Sequence, residues 1–209
     1  TNSQLYRVPV TTVGDVAATF SHGKAVHFCP GSVGGAEWNS PAYDPKTNLI
    51  LVGEVDWCDT VWPKTVDELQ SVKVGQPWAG MATWNPFWIF GHMDGHWAGW
   101  VHAVDADTGV WKWRLKSNYP ILSGMTPTAG GVVFFGDISG NFYALDAANG
   151  QKLWGQDLGG AIGGGVITYS VNGAQKVAVA AGFTHLAWPT KIVRAKIVVL
   201  GLDTTSASQ

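Results

Sequence analysis

The chain has 209 residues, of which 46% are hydrophobic and only 13% charged, with a formal net charge of −2. That is enough apolar material for a sizeable core, and the near-neutral balance excludes a basic field for nucleic acid or a polybasic membrane patch. Glycine (27), proline (10) and tryptophan (12) are abundant while helix-forming charged runs are scarce, so the chain reads as a turn-rich all-β protein whose ligand is a small molecule or another protein.

Thr1 stands where an initiator Met would, and the residues after it lack the charged and apolar stretches of a secretory leader, so the chain reads as cut. Leu5-Tyr-Arg-Val-Pro-Val-Thr-Thr-Val13 alternates like a strand and reads as the last strand of a sheet begun elsewhere. The block from His27 to Asn48 contains the pair Gly34-Gly35, which allows close backbone approach and delivers Glu37 and Trp38 just beyond. Leu49 to Val55 is a strand. Cys29 and Cys58 are read as one disulfide, which by closing a loop of about 30 residues would contribute roughly 3–4 kcal/mol; the alternative is two buried free thiols.

Residues 59 to 100 are aromatic and glycine-rich without a clear period, and the expectation is long loops on one face. Within them His92-x-Asp94-x-His96 supplies ligand types for zinc or copper, but no third ligand follows at a recognisable spacing, so a polar aromatic loop is expected. His27 and His185 have no partner visible in sequence.

Next comes Ala103-Val-Asp-Ala-Asp-Thr-Gly-Val-Trp-Lys-Trp113, which recurs 41 residues later as Ala144-Leu-Asp-Ala-Ala-Asn-Gly-Gln-Lys-Leu-Trp154. Both read A-x-D-x-x-x-G-x-x-x-W. Such a period marks a repeat architecture, and each copy reads as a hairpin: Asp105 and Asp146 form the turn, the glycine takes positive φ, and the tryptophan returns on the next strand. One tryptophan per hairpin suits a β-propeller, where it fills the gap between adjacent sheets. Gly131 to Gly136 and Ile197 to Leu202 are apolar runs of strand length, too short to span a bilayer. Gly163-Gly-Gly165 reads as a strand-flanking turn, Gly182 to Pro189 as a loop, and Ile192 to Leu202 as the last strand. The expected organisation is therefore a partial propeller over residues 1–203 and a polar tail over 204–209.

The string Cys29-Pro-Gly-x-x-Gly-Gly-x-x-Trp-Asn-x-Pro-Ala-Tyr-Asp-Pro-x-Thr-Asn-Leu49, with Asp56-Trp-Cys58, Ser117-Asn-Tyr-Pro120, Thr128-Ala-Gly-Gly131, Phe135-Gly-Asp137 and Gly163-Gly-Gly-Val-Ile-Thr-Tyr169, resembles the C-terminal part of pyrroloquinoline quinone (PQQ)-dependent alcohol dehydrogenases. The quinohaemoprotein and lupanine-hydroxylase-like branch is the nearest in pattern. The resemblance implies about three to four blades of an eight-bladed β-propeller, with PQQ and a calcium ion near its axis, oxidising a small alcohol in the periplasm and passing electrons to a cytochrome-type acceptor. Glu37 and Trp38 fall where the family places a polar residue and a Trp against the quinone, although many relatives carry Asn or Asp in place of Glu37. Leu122 falls where methanol-oxidising relatives place a Trp.

In that family the first half of the propeller supplies most calcium ligands, the aspartate base and an adjacent Cys-Cys disulfide, none of which matches a residue here. The chain is thus expected to bring no catalytic residue, to need the N-terminal part of the same propeller as its partner, and not to turn over alcohol alone. No Cys-x-x-Cys-His haem motif, dinucleotide fingerprint, Walker motif or nucleophile elbow is present. The alternatives are a non-catalytic propeller scaffold of the outer-membrane assembly type, and a half-propeller completed by a second chain.

Overall fold

The structure is a computed structural model that describes residues 23–28, 35–76, 92–93, 98–184, 188 and 190–202. The expected strand over 5–13, Cys29, Gly34, Asp94, His96, His185 and the tail over 204–209 lie outside the described residues. The chain divides into two compact units, one of Thr1–Gly35 with Asp56–His96 and one of Ala36–Val55 with Trp97–Gln209.

In chain order the strands are β1 (Val26–Phe28), β2 (Ala42–Asp44), β3 (Leu49–Asp56), β4 (Asp59–Val61), β5 (His92–Met93), β6 (Ala98–Asp105) and β7 (Trp111–Ser117). They continue as β8 (Thr126–Pro127), β9 (Val132–Gly136), β10 (Asn141–Asp146), β11 (Lys152–Asp157), β12 (Val166–Val171), β13 (Ala174–Ala181) and β14 (Lys196–Gly201), and the described residues also hold a helix, α1 (Val66–Gln70). In the first unit β1-β4-β5 form a small sheet. The segment expected to be loops thus holds two strands and α1. The helix is fixed by a capping box: the Thr65 hydroxyl accepts from the Glu68 N–H, and the Glu68 carboxylate accepts from the Thr65 N–H.

The second unit carries three antiparallel sheets, β2-β3-β6-β7, β8-β9-β10-β11 and β12-β13-β14. Alternation along the strands determines how they stack. In β9, Val133 and Phe135 face the preceding sheet, where they join Leu49, Leu51, Val101, Ala103 and Leu145 in one core. Phe134 faces the following sheet, where Phe142, Ile162, Val166, Val177, Val179 and Ala181 form a second core. The middle sheet is therefore apolar on both faces. The last sheet is apolar on both faces too, yet Ile167, Tyr169, Val171, Ile197 and Val199 are exposed on its outer side.

The repeated motif has a common geometry. In each copy the alanine pairs with the tryptophan across the hairpin, Ala103 with Trp113 and Ala144 with Trp154, and the register shifts at the next residue. Gly109 and Gly150 take φ of 72° and 75°, and each donates its N–H to the motif aspartate carbonyl at 2.8 Å. The Asp105 carboxylate accepts from the Thr108 hydroxyl, from the Thr108 N–H and from Lys112, which together hold its pKa down at about 2.

The two tryptophans differ in what they reach. Trp113 donates its indole N–H to the Ala147 carbonyl of the next sheet at 3.0 Å and lies on Gly150, where a Cβ would come within 2.6 Å of its ring. Trp154 meets Phe142 edge-on and stays 42% exposed, and the positions that would stand to it as Ala147 and Gly150 stand to Trp113 lie outside the described residues. Replacing Trp113 by Ala will therefore cost about 3 kcal/mol, while Trp154→Ala will cost half of that or less. Gly150→Ala will destabilise through both its φ and the Trp113 ring. Urea denaturation midpoints of the three variants check the order.

Candidate functional site

The first strands of the three sheets, β2, β8 and β12, are successive neighbours. The residues that enter these strands meet at one end of them, and this is where Glu37 and Trp38 lie. Trp38, just before β2, donates its indole N–H to the carbonyl of Gly163, just before β12, at 2.9 Å. Its ring tilts against Phe183 with centroids 5.7 Å apart. Half of the Trp38 side chain remains exposed, unlike a packing tryptophan.

Gly163 and Phe183 also line a cavity of about 430 Å³, with Gly164, Ala181, Gly182 and Ile197. Glycine is required at two of these positions. A Cβ on Gly163 would meet the Phe183 ring at 2.9 Å, and Gly182, at φ 99°, would meet the Ala195 backbone at 2.7 Å. Trp38 thus stands at the edge of a mostly apolar hollow with its ring orientation fixed by one hydrogen bond.

Glu37 is half-buried beside it, and burial pushes its carboxyl pKa up from 4.5. Its backbone N–H is held by the Asn39 side chain at 3.1 Å. The residues singled out in the sequence are therefore brought to one place, with Gly163 and Phe183 added by the fold. Nothing in the spacing announces Phe183, because the contact joins segments about 145 residues apart in the chain.

A second polar feature escapes the sequence. Glu54 on β3 and His102 on β6 are both buried, 4% and 1% exposed, with the His102 Nδ1 3.3 Å from a Glu54 carboxylate oxygen. Trp100 and Trp111 flank the imidazole at 5.9 and 4.9 Å, and the Arg114 guanidinium lies 4.6 Å from the Trp111 ring centroid. The pair lies on the two central strands of the β2-β3-β6-β7 sheet, and neither residue lines the hollow. Among the described residues, no three His, Cys, Asp or Glu side chains cluster as metal ligands. No described helix is long and apolar enough to cross a membrane.

Comparison with known proteins fits this architecture. A family model, PQQ_2, described as outer membrane protein assembly factor BamB, matches residues 98–203. The chain belongs to the PQQ_2 family of propeller repeats. Its similar sequences extend beyond that match and include quinoprotein alcohol dehydrogenases. A quinoprotein ethanol dehydrogenase of Pseudomonas aeruginosa is 35% identical over 162 residues, covering 78% of this chain and 25% of the relative. The europium-containing methanol dehydrogenase structure superposes with a TM-score of 0.63 at 30% identity, over 77% of this chain and 27% of the other. The quinohemoprotein alcohol dehydrogenase ADHIIG of Pseudomonas putida HK5 gives a TM-score of 0.64 at 25% identity, over 78% and 24%. This PQQ_2 chain spans about a quarter of the length of the curated relatives it matches, and its sheets are propeller blades resembling the C-terminal part of such dehydrogenases.

The raised pKa of Glu37 has a consequence for stability. A carboxyl that binds its proton more tightly when folded costs stability as pH rises through the ordinary and then the folded value. Glu37→Gln will therefore be at least as stable as the parent at pH 7, and the difference will vanish below about pH 4, where both side chains are neutral. Denaturant midpoints at the two pH values measure it.

Proposed function

We propose that this PQQ_2 chain is the C-terminal portion of a periplasmic alcohol dehydrogenase that depends on PQQ and calcium, and that it supplies blades and one part of the cofactor rim. The observation that carries this reading is Trp38: a half-exposed indole, locked to Gly163 at the converging ends of the first strands, beside an apolar hollow. The printed names of the relatives, quinoprotein and quinohemoprotein alcohol dehydrogenases, supply the chemical class.

The residues present suit such a cofactor. A flat aromatic ring system would lie against Trp38, and Gly164 and Gly165 leave backbone open to it, having no Cβ contact closer than 3.7 Å. Bound there, PQQ would supply the ortho-quinone that accepts hydride from the alcohol carbon. Trp38 orients, because its N–H is already committed and the ring cannot turn without losing that bond. Glu37, whose carboxyl pKa burial raises, would lie beside an anionic cofactor, where a carboxylate is unfavourable unless a cation or a proton intervenes. The calcium ligands and the base that takes the alcohol proton are assigned to the N-terminal part of the propeller, and the electrons to a cytochrome-type acceptor. The exposed apolar outer face of the last sheet suits the packing of a further blade, as a partnership with the N-terminal part requires.

Periplasmic oxidation fits a bridge between Cys29 and Cys58. β1 and β4 pair Val26 with Val61, His27 with Thr60 and Phe28 with Asp59, and Cys58 immediately precedes β4. No described cysteine is a free thiol. Intact-mass measurement after alkylation will find both cysteines protected until a reductant is added.

The scaffold reading draws on the description of the family model, whose match at residues 98–203 leaves out Glu37 and Trp38. A binding experiment separates the two. With the N-terminal part present, PQQ and calcium will bind and alcohol will reduce a dye, and Trp38→Ala will weaken PQQ binding at least tenfold. The 209-residue chain alone will show no turnover. A reconstituted propeller that ignores PQQ would favour the scaffold, and turnover by the chain alone would refute the division of labour.

A further inference from the structure

Asn39 follows Trp38 and is 5% exposed, and every hydrogen-bonding group of its amide toward this region has a partner. The Nδ2 donates to the Gly53 carbonyl at 2.8 Å and to the Ile121 carbonyl at 3.1 Å, while the Oδ1 accepts from the Glu37 N–H at 3.1 Å. Two carbonyls on one side and an N–H on the other permit only this amide orientation. One side chain thus ties the turn carrying Glu37 and Trp38 to β3 of its own sheet and to the segment that enters the next sheet. The fit leaves no slack, since a Cβ on Gly53 would fall 2.5 Å from the Ile121 side chain and 3.3 Å from the Asn39 Nδ2.

The repeat supplies its own control. Ser123 precedes β8 by three residues, as Asn39 precedes β2, and its hydroxyl bonds the Gly136 N–H and carbonyl on β9 at 2.8 and 2.9 Å. A serine therefore suffices to fasten this turn to the second strand of a sheet. The longer amide of Asn39 adds two bonds that the framework of the next blade does without, one across to Ile121 and one back to Glu37. Both act on the segment bearing the candidate cofactor residues.

We infer that Asn39 is a positioning residue that sets the Glu37–Trp38 segment for the cofactor, acting through the Glu37 N–H and the Ile121 carbonyl rather than by touching the cofactor. The inference rests on the reading of Trp38 as part of the PQQ rim. Asn39→Ser preserves the bond to Gly53 that Ser123 makes in the next sheet and removes the other two. Asn39→Ala removes all three.

The experiment uses the full-length polypeptide that carries this chain, stripped of PQQ and titrated with PQQ in the presence of calcium, with Trp38→Ala alongside. The expected result for Asn39→Ser is an apparent Kd weaker by about tenfold, the equivalent of one good buried hydrogen bond. Its bound-quinone absorption will be displaced and its thermal midpoint will stay within a few degrees of the parent, and Asn39→Ala will weaken binding at least as much. If Trp38→Ala weakens binding but both Asn39 variants bind PQQ as the parent does, the positioning role is wrong while the rim stands. If Trp38→Ala also leaves Kd unchanged, the rim reading itself falls. Loss of folding in both Asn39 variants assigns the residue to the sheet framework and overturns the inference as well.

Discussion

Everything in the second unit depends on stacking β-sheets whose two faces are both apolar. A strand has only two faces, and β9 sends Val133 and Phe135 to one core and Phe134 to the other. That arrangement requires neighbouring sheets to approach closely, so the contact points cannot carry ordinary side chains on both partners. Gly53 receives Ile121 with no room for a Cβ, and Gly136 receives Ile162 in the same way. Ile121 and Ile162 are 41 residues apart, the same offset as the Trp motif. The period is therefore a period of knobs as much as of hairpins.

The hairpin motif completes the interface at the far edge of the sheet. The bulge after Ala103 places Trp113 where its indole reaches the Ala147 carbonyl and its ring covers Gly150, which itself needs positive φ for the next copy of the turn. Glycine at that position thus answers two demands at once, a left-handed turn and a flat seat for the preceding tryptophan. One repeat's turn is the next interface's socket, so the motif is legible as a series and not as a single hairpin.

This explains what the sequence disclosed and what it withheld. The strands over Leu49–Asp56, Val132–Gly136 and Lys196–Gly201 and both motif hairpins follow from local chemistry, because alternation, turn residues and apolar runs act within a few positions. Helix α1 was equally local, its Thr65-x-x-Glu68 box being a recognisable start, but it is short and embedded in an aromatic stretch that reads as loop. Glu37 and Trp38 stood out through the Gly-Gly block and the resemblance it carries. Their partners did not. Gly163, Phe183 and Ile121 are brought in by sheet stacking and the buried pair of Glu54 with His102 by strand pairing within one sheet, and a contact between distant segments leaves no spacing in the chain.

The location of the candidate site follows from the same geometry. Where first strands of successive sheets run side by side, the backbone entering each of them must turn, and turns are the places where a repeat tolerates departure from its consensus. In the blade that enters through Ser123 the turn only serves its own sheet. In the blade that enters through Asn39 the same position has gained reach across the interface, and the residue before it is a half-exposed tryptophan instead of the buried Leu122. A structural repeat becomes a site at the step where its framework residues are enlarged just enough to hold an unbalanced, solvent-facing aromatic in one orientation. The separation of Trp113, which locks blades, from Trp38, which is locked by them, follows from that difference.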